Sequence, residues 1–162
     1  MDHLWSPWRM EYIQAASQEP QADAGGCVFC ELPLSDESSR ILASGELAYV
    51  VLNKFPYNPG HLLVVPFRHI GDLGELTVEE SAELQSLLQR GVRALREESD
   101  PHGFNIGLNL GRIAGAGIPD HVHWHVVPRW SGDTNFVSVV GETRVLPELL
   151  AETARRLAPR FA

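Results

Sequence analysis

The segment His121-Val122-His123-Trp124-His125-Val126-Val127 alternates histidine with large apolar residues, and a period of two is the mark of a β-strand. On a strand the three imidazoles project from one face, while Val122, Trp124 and Val126 pack on the other. Residues two apart on a strand stand about 6.5–7 Å from each other, so the outer rings start roughly 13 Å apart and do not readily converge on one metal ion. A catalytic row suits this spacing better than a three-histidine metal cage. The bland alternative is a strand whose rings are only hydrogen-bonded or solvated. Three histidines at this period, followed by the Pro128-Arg129 stop, make that the poorer account.

The remainder of the chain offers partners for such a strand. Residues 41–44 and 47–52 read as strands separated by a Gly45-Glu46 turn. Residues 53–60 carry two prolines and a glycine, a connection that lets residues 61–65 return antiparallel. Thr77-Val78-Glu79-Glu80 fits a capping box, and Val78, Leu84, Leu87, Leu88, Val92 and Leu95 recur near helical period as far as about residue 98. Asp100-Pro101-His102-Gly103 stops that helix, residues 104–110 alternate again as a strand, and residues 111–120 form a glycine-rich loop entering the histidine strand. A further helix is expected over about residues 147–156. Strands around one long helix predict an α+β fold rather than a doubly wound parallel sheet. Residues 32–40 read as loop. Residues 17–26 are small and polar, which separates an N-terminal arm and loop (1–26, with Trp5, Trp8, Met10, Tyr12 and Ile13) from a single domain at 27–162.

Bulk properties narrow the function. A chain of 162 residues suits one domain with a real core. No apolar run of about eighteen residues spans a membrane, and the start Met1-Asp2-His3-Leu4-Trp5-Ser6-Pro7 shows neither a basic leader nor an apolar signal core, so a cytoplasmic protein is expected. A formal charge of −8 argues against a broad interface with long nucleic acid, although local donors can still hold a small polyphosphate. The two cysteines, Cys27 and Cys30, are too few for a disulfide scaffold. Their two-residue gap is one that clasps Zn²⁺, and it serves equally a redox pair or two inert thiols.

The pattern His-apolar-His-apolar-His-apolar-apolar at 121–127 resembles the signature of the histidine triad superfamily of nucleotide hydrolases and transferases. Leu52-Asn53-Lys54-Phe55-Pro56-Tyr57-Asn58-Pro59-Gly60-His61-Leu62-Leu63-Val64-Val65-Pro66 is similar to that family's nucleoside-binding hairpin. The likeness covers about residues 27–130. Leu4-Trp5-Ser6-Pro7-Trp8-Arg9-Met10 and Pro128-Arg129-Trp130-Ser131-Gly132-Asp133-Thr134-Asn135-Phe136 resemble a bacterial branch related to diadenosine tetraphosphate phosphorylases. The resemblance implies the histidine triad fold, an antiparallel sheet of about five strands with one long helix and a C-terminal helix. It implies adenine nucleotides or dinucleoside polyphosphates as ligands, and a homodimer or higher homo-oligomer.

Neutral imidazole is a good nucleophile near neutral pH, which suits His123. By the resemblance, His123 attacks an α-phosphorus to give a nucleotidyl-histidine, with His125 and His61 as donors to phosphoryl oxygens. It also implies His69 and His121 as the two ligands that complete a structural zinc site with Cys27 and Cys30, and a divalent ion such as Mg²⁺ can accompany the polyphosphate. Asn53 matches a position set against ribose hydroxyls, where an amide both donates and accepts. Leu52, Phe55 and Leu62 are candidates to enclose the base, and each has an ordinary core reading beside it. Asn109 and Trp130 match substrate-contact positions, with rim packing the equal alternative for Trp130. At Gly117 many of the hydrolases carry glutamine and some phosphorylase-like members serine. The missing side chain leaves room for inorganic phosphate as well as water and inclines the reading toward phosphorolysis. Two further readings are a nucleoside phosphoramidase and a non-catalytic nucleotide-binding or interaction protein.

Overall fold

A computed structural model describes residues 26–133 and 148–161. Its sheet is built from β1 (Ile41–Ser44), β2 (Ala48–Leu52), β3 (Leu62–Pro66), β4 (Gly103–Gly107) and β5 (Trp124–Arg129). The spatial order is β1-β2-β3-β5-β4 and every neighbouring pair is antiparallel. The helices are α1 (Val28–Glu31), α2 (Val78–Ser99) and α3 (Leu150–Leu157). The α+β expectation holds. Among the described residues no helix is long and apolar enough to cross a membrane.

Strands β2 and β3 are buried at every position, as central strands covered on both faces must be. Val50, Leu52, Leu62 and Val64, with Val126 of β5, pack in one cluster with Leu84, Leu87, Leu88 and Leu95 of α2 and with Leu157 and Phe161 at the C-terminal end. The opposite face carries Tyr49, Val51, Leu63 and Val65 under Phe29 and Leu32. Register places Leu62 opposite Val126 and Leu63 opposite His125. His125 therefore lies on the face away from α2, and a one-residue slip would drive it into the helix-facing core.

The capping box at α2 is made in both directions: the Glu80 amide donates to Thr77 Oγ1 at 3.2 Å and the Thr77 amide to Glu80 Oε2 at 2.8 Å. Arg68 adds a two-pronged contact to the same carboxylate at 2.7 Å, which with the Thr77 amide lowers Glu80 to about 2. Asp100, in the left-handed region at φ 42, ends the helix.

Three elements differ from the sequence expectation. The ladder of β5 begins at Trp124, after His121 and His123. Continuing the register would set Pro66 opposite Val122, and proline has no N–H to donate. The Val122 amide bonds instead to Ile70 O at 2.6 Å. Strand β4 stops at Gly107 rather than 110, where the chain leaves the sheet for a loop with Gly111 and Gly115 at positive φ. Residues 32–40 are wound into two short 3-10 turns, Leu32–Leu34 and Asp36–Arg40. The aromatic N-terminal arm, the segment 134–136 and the expected helix start at Pro147 lie outside the described residues.

Candidate active site and metal cluster

Cys27 caps α1 and Cys30 lies within it, and three residues of helical spacing put both thiols on one side. The 69–71 segment runs against the approach to β5: an added Cβ at Gly71 would lie 3.0 Å from Pro119 O and 3.2 Å from Asp120 Cα. That contact and the Ile70–Val122 bond bring His69 beside His121. Cys27 Sγ lies 3.2 Å from His121 Nδ1, Cys30 Sγ 3.4 Å from His69 Nδ1 and 3.6 Å from His121 Nδ1. One donor atom from each of the four lies within 4.8 Å of every other.

The donor set fits a metal. Ligand bonds of about 2.0–2.3 Å in a tetrahedron put N and S ligands roughly 3.3–3.8 Å apart, and these contacts fall within that range or, for Cys27 to His121, just below it. His121 Nε2 donates to Pro66 O at 2.9 Å, which leaves Nδ1 with the lone pair facing the sulfurs. Burial and the adjacent Cys27 thiol push Cys30 up to about 11, the opposite of what a reactive redox thiol needs, and a divalent cation is the charge that reverses it. The cluster could hold one such ion with Cys27, Cys30, His69 and His121 as ligands. The cysteines reach only one of the three alternating histidines, as the strand spacing implied.

On the same face, His123 Nδ1 donates to the backbone carbonyl of His121 at 2.8 Å. The neutral ring then carries its lone pair on Nε2. Phe29 lies 4.9 Å away, centroid to centroid, and His125 lies 5.1 Å away. Burial lowers the His123 pKa, opposed by the bond to the His121 carbonyl. His125 falls to about 4, through burial first and then the neighbouring His123 charge. Both imidazoles are neutral near pH 7.

A chain of hydrogen bonds assigns the remaining protons. The backbone N–H of Tyr57 donates to His61 Nδ1 at 3.1 Å, and Asn53 Nδ2 approaches the same nitrogen at 3.3 Å. A nitrogen that accepts is unprotonated, so the His61 proton sits on Nε2 and is given to His125 Nδ1, 2.9 Å away. His125 in turn carries its proton on Nε2. The row thus sets an unprotonated Nε2 on His123 beside a protonated Nε2 on His125.

Of the candidate nucleoside residues, Asn53 is half-buried at the mouth of the hairpin, with Oδ1 accepting the Phe55 amide at 3.0 Å. Phe55 is 78 % exposed, whereas Leu52 is fully buried. Leu52 packs in the helix-facing core, the ordinary role open to it, because strand alternation turns it away from His61. Asn109 Nδ2 reaches Gly115 O at 3.4 Å, Gly117 is exposed, and the Trp130 indole donates to Ser99 O at 3.2 Å, tying it to the end of α2. His61 is buried, with Nε2 turned to His125. Two contributors were not singled out from sequence. Tyr57 stacks on His61 with centroids 4.8 Å apart, and Phe29 lies under His121 and His123. The Pro-flanked spacing of Tyr57, four residues before His61, was the available signal for the first.

The HIT domain model matches residues 35–132. Over 166 aligned residues the chain is 48 % identical to a Mycobacterium tuberculosis protein named AP-4-A phosphorylase, an alignment covering 100 % of this chain and 85 % of that one. It is 33 % identical over 103 residues to an adenosine 5′-monophosphoramidase of Schizosaccharomyces pombe, covering 64 % of this chain and 74 % of the relative. The solved structure of a Zn-bound histidine triad family protein from Mycobacterium smegmatis matches with a TM-score of 0.69 at 33 % identity, covering 84 % of this chain and 93 % of that one. On the matched domain, the triad geometry and these likenesses, the chain belongs to the HIT domain family.

Proposed function

We propose that this protein is a histidine triad enzyme cleaving dinucleoside polyphosphates, diadenosine tetraphosphate among them, at the α-phosphate. The observation that carries the reading is the His123 Nδ1 bond to the His121 carbonyl, which leaves Nε2 as a neutral, oriented nucleophile beside the His125 proton. His123 Nε2 attacks the α-phosphorus as the bond to the polyphosphate oxygen breaks, giving adenylyl-His123 and ATP. His125 Nε2–H donates to the phosphoryl or leaving oxygen, where charge grows. His61 acts through His125. Asn53 meets the ribose hydroxyls, Phe55, Asn109 and Trp130 flank the bound nucleotide, and a divalent ion such as Mg²⁺ enters with the polyphosphate.

The second displacement returns the His123 lone pair. An oxygen of inorganic phosphate attacks the adenylyl phosphorus, the P–N bond breaks and ADP forms; water in the same place gives AMP. Phosphate is favoured on the reading that Gly117, lacking a side chain, leaves room for the acceptor, and the 48 % identical relative named a phosphorylase supports the same choice. Zinc is the ion proposed for the Cys27, Cys30, His69 and His121 cluster, supported by the donor set and the Zn-bound relative. With four protein ligands it has no open position for water and serves to hold the N-terminal turn against the triad.

The test is rapid-quench trapping with α-labelled diadenosine tetraphosphate. Label is expected on wild-type protein and not on His123→Ala, whose nucleotide Kd stays within about tenfold while turnover is abolished. Turnover by His123→Ala equal to wild type rejects the nucleophile. The phosphoramidase relative favours a second reading, the same attack on a P–N bond, and a substrate panel of dinucleotides and phosphoramidates, run with and without phosphate, separates the two.

A further inference from the structure

Asp133 stands just past the end of β5 and gathers donors from two elements. Its Oδ2 accepts Arg129 Nε at 2.6 Å and Asn58 Nδ2 at 2.7 Å, and its Oδ1 accepts Arg129 Nη2 at 2.8 Å. The Arg129 guanidinium holds the Asp133 carboxyl well below the usual carboxylate range, so the group is an acceptor throughout the working pH range. Asn58 Nδ2 also donates to Pro128 O at 2.9 Å, a residue of β5 itself. One side chain in the middle of the β2–β3 connection is thereby fastened twice to the end of another strand.

That connection carries the shorter of two donor contacts to His61 Nδ1, the other being Asn53 Nδ2 at 3.3 Å. Tyr57, directly before Asn58, gives its N–H to His61 Nδ1. The two neutral tautomers of an imidazole lie close in energy in water, so a single well-held donor decides between them. Reversing His61 would put its proton on Nδ1 and leave Nε2 to accept, and the pair with His125 could then persist only with the His125 proton on Nδ1. The open side of His125 would present a lone pair where a donor is needed. A buried side chain can hold a tautomer only as firmly as its partner is held.

We infer that Asp133 and Asn58 are positioning residues: by clamping the β2–β3 connection to the end of β5 they keep the Tyr57 amide on His61, and so fix both His61 and His125 with the proton on Nε2. The consequence for catalysis rests on the function proposed above; the tautomers themselves do not. A turn-stabilising role alone, such as the Asp133 amide bond to Trp130 O at 3.1 Å implies, would alter melting temperature without touching the imidazoles.

The experiment is long-range ¹H–¹⁵N correlation spectroscopy of the histidine rings in the full-length, metal-loaded protein, for wild type, Asn58→Ala and Asp133→Asn. Asp133→Asn keeps the volume but removes the charge, and with an NH2 in place of one carboxylate oxygen it must meet either Arg129 or Asn58 with a donor, so the full set of clamping bonds cannot form. In wild type His61 and His125 are expected with Nε2–H and His123 with Nδ1–H. In both variants His61 and His125 shift to mixed or reversed tautomers, while His123, bonded to the His121 carbonyl, stays unchanged and reports an intact fold. The companion kinetic reading is a fall in kcat of about 10- to 100-fold with KM altered much less. Tautomers at His61 and His125 identical to wild type in both variants overturn the inference. So does loss of the folded amide spectrum in both, since the clamp would then hold the fold rather than the protons. If the tautomers shift but wild type cleaves no dinucleoside polyphosphate, the positioning role stands and the proposed function falls.

Discussion

Gly60 has a positive φ of +80°, and a Cβ added there would sit 2.8 Å from Leu95 Cδ2 and 3.5 Å from Pro128 Cγ. Gly60→Ala therefore meets two separate penalties. Holding an L-residue in the left-handed region costs about 1–2 kcal/mol. Relieving the overlap costs about 1 kcal/mol, at the low end for core overpacking because the atom met is the tip of a leucine. Reduced freedom of the unfolded chain offsets about 0.4–1 kcal/mol, leaving a net loss of about 2 kcal/mol, or roughly 4–8 °C in Tm for a chain of this size. Adding Leu95→Ala removes the obstructing methyl, so the double variant should be less destabilised than the two singles added together, by about 1 kcal/mol. Because residue 60 precedes His61, whose Nε2 lies 2.9 Å from His125, kcat should fall by more than the unfolded fraction explains. Denaturant unfolding with kinetics on the folded fraction reads both. A Gly60→Ala loss below about 0.5 kcal/mol, or strict additivity with Leu95→Ala, refutes the steric account.

Elemental analysis of protein purified without added metal should find one zinc per chain, lost in Cys27→Ser and in His69→Ala, with a lowered Tm accompanying any fall in rate; metal-free protein of full stability removes zinc from the account. His125 is lowered from 6.5 to about 4 in the folded protein, so between those values the unfolded chain binds more protons. Unfolding free energy should therefore fall as pH drops from about 6.5 to 4, the His125 contribution being fully lost below that, and the fall should be shallower in His125→Gln. An unchanged slope in that variant would place the titration elsewhere. Gly117→Gln should shift the partner of ATP from ADP toward AMP, read by chromatography at several phosphate concentrations. AMP alone from both proteins at every phosphate concentration makes the enzyme a hydrolase.

The features readable in the sequence were those with local causes. The capping box and the Asn53–Gly60 connection each involve residues near in sequence and form as expected, whereas of the period-two histidines only His125 lies within the β5 ladder. The edge of β5 was not readable, because it is decided at Pro66, fifty-eight residues before Trp124, by a missing N–H whose relevance appears only once the strands are paired. Leu52 shows the same dependence: its seat in the motif said nothing of which face of β2 it would take. His61 read as one of two donors to phosphoryl oxygens, beside His125, and only the Tyr57 amide and the 2.9 Å contact with His125 support the different task proposed for it. The Cys-x-x-Cys pair was ambiguous in isolation and becomes a four-donor cluster through the close approach of Gly71 to Pro119.

The alternation along the histidine row also divides labour within a short distance. His121 turns its ring to the cysteines, yet its backbone carbonyl orients His123. On the proposed function, a metal held there by four protein ligands would have no open position for the substrate, but it would fix the residue whose carbonyl sets the tautomer of His123. His61 does the corresponding work from the other side, through His125. In the proposed reaction each reacting imidazole would thus be oriented by a group that does no chemistry itself, the His121 carbonyl on one flank and, through His61, the Tyr57 amide on the other. Neutral rings in a row where His61, His121 and His123 are buried and His125 is half-buried need such fixed partners, because little solvent is left to exchange the proton between nitrogens.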